Sequence, residues 1–109
     1  MRCAFATLVT NADYARGALA LARSLKAVGA GAPLVVLAPP GAAGLADLEA
    51  AGAVVHDVAP LPLSEAFRAR HSRTAQHAAA PFTKGTKPAF HDPLDNFQKL
   101  RLWELEDYD

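Results

Sequence analysis

Thr10, Asn11, Asp13 and Tyr14 are the residues whose types and spacing first suggest chemistry. Thr10 or Asn11 can cap a helix and also offer a donor or acceptor to a base edge or a ribose. Tyr14, one turn into that helix, supplies a flat ring on which a base can stack. Such stacking contributes about 1–3 kcal/mol per base. The same residues admit a simpler reading, because Thr and Asn at a helix start commonly serve as caps. A lone Tyr there is commonly packed or solvated.

The elements around these residues decide whether they face a ligand. Ala4 to Val9 is an apolar run containing Phe, Leu and Val, the composition of a buried strand, and the pattern changes to a helical period at Thr10-Asn11. In open α/β sheets ligands bind at the carboxyl ends of the strands, which is where this turn would stand. A helix is expected from Asn11 to Val28, with Ala18, Leu21, Leu25 and Val28 as its packing stripe and Gly29 as its stop. Gly29-Ala30-Gly31 follows a helix instead of opening one, so it is not a dinucleotide fingerprint.

Leu34 to Leu37 is a continuous apolar run between prolines, as in a strand buried on both faces of a parallel sheet. A short helix over Leu45 to Ala51, ending at Gly52, and a third strand over Ala53 to Val58 complete a βαβαβ order. That order implies a parallel sheet and the α/β class. Ser64 can cap a short helix ending at Arg70, and His71 to Pro93 shows no periodicity. A last helix is expected to start at Asp95 or Asn96 as cap and to run to about Asp107. Its broad apolar face of Leu100, Leu102, Trp103 and Leu105 has no further strand to cover, so self-association is expected.

Length and composition narrow the classes. The chain has 109 residues, with eleven acidic and eleven basic side chains and no net charge, so no electrostatic footprint for nucleic acid or an anionic membrane is present. One domain is expected over residues 1–109. Cys3, the only cysteine, excludes an intramolecular disulfide and is expected to act as a small hydrophobe at the start of the first strand. No signal-like leader and no apolar run of about 20 residues are apparent, and a soluble, cytoplasmic protein is expected. His56, His71, His77 and His91 lack the spacing of a helical metal pair and are expected to be solvated. Thr83-Lys84-Gly85-Thr86-Lys87 lacks the glycine and serine or threonine placement of a P-loop.

Two stretches carry a resemblance. Ala4 to Leu25, read as Ala-Phe-x-Thr-Leu-x-Thr-Asn-x-x-Tyr-x-x-Gly-Ala-Leu-x-Leu-x-x-Ser-Leu, closely resembles the N-terminus of the retaining glycosyltransferases that include glycogenin and galactinol synthase. Lys99-Leu100-Arg101-Leu102-Trp103-Glu104-Leu105 with Tyr108 resembles that family's Lys-Leu-x-x-Trp-x-Leu helix, which precedes the strand bearing an Asp-x-Asp motif. The resemblance implies a Rossmann-like GT-A nucleotide-binding half, present here as an N-terminal fragment. It also implies transfer of a hexosyl group from UDP-glucose or UDP-galactose to an acceptor hydroxyl, by an enzyme of which this part alone would be inactive.

By the same resemblance Thr10, Asn11 and Tyr14 hold the uridine, with the backbone of Leu8 against the base. Lys99 approaches the diphosphate, and Asp95 aligns with a nucleotide-facing position that a helix cap would explain equally well. Mn²⁺ or Mg²⁺ in the full-length enzyme would be held by an Asp-x-Asp expected beyond Asp109. Asp107-Tyr108-Asp109 is read instead as a solvated helix end. Two other classes stay open: a non-catalytic nucleotide-binding module, and a doubly wound interaction domain of the receiver type.

Overall fold

A computed structural model describes residues 1–72 and 92–109. Its elements are β1 (Phe5–Leu8), α1 (Ala12–Ala27), β2 (Leu34–Ala38), α2 (Leu45–Ala50), β3 (Val54–Asp57), α3 (Glu65–His71) and a 3₁₀ helix over Pro93–Glu104. The three strands form a parallel sheet in the order β1-β2-β3, with Phe5 beside Leu34 and Val35 beside Val54 at the starts of the two ladders. This is an α/β fold. The chain divides into two compact units, Met1–Ala59 with Lys99–Asp109 in one and Pro60–Gln98 in the other.

In the first unit β2 is central and buried along its whole length, as its unbroken apolar run requires. Leu34, Val36 and Ala38 share one face with Val9 of the β1 end, and the core there is completed by Ala15, Ala18 and Ala22 of α1 and by Leu48 of α2. The other face, carrying Val35, Val54 and His56, is met by Glu104 to Tyr108, which line a groove with it.

The packing stripe of α1 differs from the expected one. Ala18 and Leu25 face the core, but Leu21 and Val28 are exposed, and Ala15, Ala22 and Leu19 take their places. The helix turns its small residues inward because the backbone of the β2–α2 connection passes close to it. A Cβ on Gly44 would stand 2.8 Å from that of Ala15.

Both main helices stop as the glycines indicate. Gly29, at φ +68°, donates to the Lys26 carbonyl while Ala30 donates to that of Leu25. Gly52, at φ +93°, repeats the pattern with Glu49 and Leu48. These are paired Schellman closures, which satisfy carbonyls that the helix end would leave open.

Three other expectations change. The last helix is a 3₁₀ helix that begins at Pro93 and ends at Glu104, without a buried residue. Its cap is neither Asp95 nor Asn96, because the Asp92 carboxylate accepts from the Leu94 N–H at 3.0 Å. Proline at the first helical position has no N–H to satisfy, which suits that start. Cys3 lies ahead of β1 and is exposed.

In the second unit Ser64 caps α3 as expected, accepting from the Phe67 N–H at 3.1 Å. His71 is not a solvated loop residue. It ends α3 with its ring 4.3 Å from that of Phe67 and 5.5 Å from that of Phe97, centroid to centroid. His77, His91 and Thr83 to Lys87 lie outside the described residues.

Candidate nucleotide-facing turn

β1 delivers its carboxyl end to the start of α1 through two residues. Val9 is fully buried and donates its N–H to the Leu37 carbonyl at 2.8 Å, so the strand is held to β2 up to its last core residue. Asn11 then takes an extended conformation and caps the helix, its Oδ1 accepting from the Tyr14 N–H at 3.0 Å while its carbonyl accepts from Ala15. The capping role offered to Thr10 or Asn11 therefore falls to Asn11. Its side chain is fixed, and one of the helix's open donors is satisfied.

That assignment leaves Thr10. Its Oγ1 is buried and has no hydrogen-bond partner among the described residues. A hydroxyl shielded from water and unpaired costs about 1–3 kcal/mol, a cost that a ligand's donor or acceptor would remove. Tyr14 is half-buried one turn along, and Asp13 pairs with Arg16 at 3.8 Å on the exposed side. Leu8 is half-buried, on the sheet face opposite to the α1 core.

Leu8, Thr10, Asn11 and Tyr14 are thus brought to one strand-to-helix turn. Lys99 stands exposed on the 3₁₀ helix, with no ion pair among the described residues. Asp95 belongs to the second unit, where its N–H donates to the Asp92 carbonyl at 3.1 Å. It is an internal residue of the 3₁₀ helix and not its cap.

The described residues do not fit a divalent cation. No group of three His, Cys, Asp or Glu side chains converges among the described residues. Asp109, the last residue of the Asp-x-Asp spelling, is committed elsewhere. Its Oδ2 accepts from the Arg2 N–H at 2.6 Å and lies 3.9 Å from the Met1 ammonium, and its own N–H donates to the Arg2 carbonyl at 2.8 Å. Tyr108 lies under the Arg2 guanidinium, 5.5 Å from ring centre to Cζ. Asp107 and Asp109 are exposed, as a solvated end would be, but Asp109 also ties the chain to Arg2 just ahead of β1. Sequence inspection had no means of finding that tie, since the partners are 107 residues apart.

No helix among the described residues is long and apolar enough to cross a membrane. The fold and the turn define an α/β protein with a three-stranded parallel sheet and a polar turn at the carboxyl end of its first strand. Comparison with known protein families, curated proteins and solved structures yields no match.

Proposed function

We propose that this chain is the uridine-binding part of a retaining, UDP-sugar-dependent glycosyltransferase of the GT-A type. The observation that carries the reading is the buried, unpaired Thr10 hydroxyl beside the capping Asn11 and the ring of Tyr14, at the strand end where α/β sheets take their ligands. The sequence resemblance supplies the nucleotide and the reaction class. In the proposed arrangement the uracil stacks on Tyr14 and bonds the Thr10 hydroxyl, and Lys99 serves as a point charge for the phosphates. UDP-glucose and UDP-galactose are the donors the resemblance suggests.

A second reading, nucleotide binding without transfer by this chain, is kept because no group of three His, Cys, Asp or Glu side chains that could hold a metal ion converges among the described residues. Titration with UDP, UMP and AMP, monitored by calorimetry, tests both. The expected result is a preference for the uridine nucleotides that Tyr14→Ala weakens by about 5- to 150-fold, the equivalent of about 1–3 kcal/mol. Lys99→Ala is expected to weaken UDP more than UMP. Equal affinity for AMP, or indifference to Tyr14→Ala, overturns the nucleotide reading. A large strengthening by Mn²⁺ would show metal ligands beyond the residues assigned here and overturn the second reading.

A further inference from the structure

The 3₁₀ helix over Pro93–Glu104 buries no residue, so its place depends on polar contacts more than on a packed core. Arg101 supplies one. Its Nε donates to the Ala59 carbonyl at 2.9 Å, and its Nη1 donates to Glu104 Oε1. Three residues make one turn of such a helix and side chains three apart stand one above the other, so Glu104 is placed to hold the guanidinium that Arg101 extends to Ala59. The accepting carbonyl has a defined level in the sheet. Val58 donates to the Ala38 carbonyl at 2.9 Å, which sets Ala59 just past the carboxyl ends of β2 and β3.

Lys99 belongs to the same compact unit as Ala59 and the β1–α1 turn. From Arg101 the chain runs back along the sheet, since Glu104 to Tyr108 line a groove with Val35, Val54 and His56. Leu102, three residues after Lys99 and so on the same side of the helix, lines another groove with Ala4 and Ala6. One 3₁₀ turn rises about 6 Å, and two residues of a strand about 6.6 Å. The step from Leu102 back to Lys99 therefore matches the step from Ala6 forward to Leu8, the last residue of β1.

We infer that Arg101 is a positioning residue, whose bonds to Ala59 and Glu104 set Lys99 at the carboxyl edge of the sheet, level with the turn of Thr10, Asn11 and Tyr14. This role presupposes Lys99 as the phosphate-facing cation of the proposed function, and it supplies what that residue lacks. Lys99 is exposed on a long flexible stem with no ion pair among the described residues, so its direction is set by the backbone that carries it. Arginine suits the anchoring task. Its planar guanidinium holds Nε and Nη1 in fixed relation, one for Ala59 and one for Glu104, whereas lysine has a methylene where Nε stands.

Calorimetric titration of the full chain with UDP and with UMP tests this, in the unaltered protein and in Lys99→Ala, Arg101→Met, Arg101→Lys and Glu104→Gln. The unaltered chain is expected to prefer UDP, and Lys99→Ala to remove that preference. Arg101→Met should reduce the preference by about 3- to 10-fold, with UMP affinity and circular dichroism unchanged. Arg101→Lys should not restore it, because the charge is kept but the Nε donor is lost. Glu104→Gln should act in the same direction and by less. A UMP affinity that falls in step with UDP would mean that Arg101 only holds the fold, and restoration by Arg101→Lys would mean that its charge meets the phosphates directly. Either result overturns the positioning role, as does a preference unchanged in Arg101→Met. A chain that does not prefer UDP, or a preference that survives Lys99→Ala, overturns the reading of Lys99 itself and the positioning role with it. Should Arg101→Met fail to fold, Glu104→Gln and Arg101→Lys decide alone.

Discussion

At the residue scale the first turn of α1 separates two kinds of polar group. Asn11 has structural employment, its Oδ1 accepting from Tyr14. Replacing it with alanine is expected to lower stability by about 1 kcal/mol, read as a shift in the urea midpoint. Thr10 is the converse case. Thr10→Val keeps the shape and removes a buried hydroxyl that has no partner, so the unliganded chain should be as stable as before or up to about 1 kcal/mol more stable. UMP affinity of the same variant should fall. A loss of stability without a loss of affinity would mean that the hydroxyl serves the fold instead. The capping role of this turn was legible in the sequence, because Asn followed by a helical period is a local signal. Which of two adjacent residues would cap, and which would be left with a buried hydroxyl, depends on where β1 lets go of β2.

At the element scale the alternation of strands and helices was legible for the same reason. Leu34 to Ala38 is apolar throughout, and Gly29 and Gly52 stand where left-handed residues close α1 and α2. The face of α1 was not legible. Hydrophobicity favours Leu21 and Val28, yet the sheet and α2 accept Ala15, Ala18 and Ala22, because close approach selects for small volume and not for apolar area. The start of the last helix had a signal in Pro93, whose missing N–H suits a first turn and points to Asp92 as cap. α2, only six residues long, is anchored by one fully buried side chain, Leu48. Leu48→Ala is expected to cost about 2–5 kcal/mol and to weaken β3 protection in hydrogen exchange along with α2.

At the scale of the whole molecule the buried residues set the limit on stability. Five of the twelve buried apolar residues described are alanines and none is aromatic: the five are Ala15, Ala18, Ala22, Ala38 and Ala53. Each alanine removes little area from water, so the first unit is expected near the lower end of the usual range of about 5–15 kcal/mol. Chemical denaturation measures this. The long-range tie between the Arg2 backbone and Asp109 contributes little to that total, because the Asp109 carboxylate and the Met1 ammonium it approaches are largely in water. Asp109→Ala should change stability by less than about 1 kcal/mol. What it fixes is direction, bringing residues 102–109 to the start of the sheet.

Gly44 has a wider effect than its place in a connecting loop suggests. At φ +85°, with room for hydrogen alone against the Ala15 methyl, it acts as a mechanical stop behind the first turn of α1. A methyl added there would push on the helix one residue after Tyr14, and the displacement would be felt first by the ring and the capped amide. The β2–α2 loop therefore behaves as a setscrew on the first turn of α1. Gly44→Ala should broaden the amide resonances of residues 11–15 while those of β2 stay sharp, and under the proposed uridine reading it should blur nucleotide discrimination without any contact with the base.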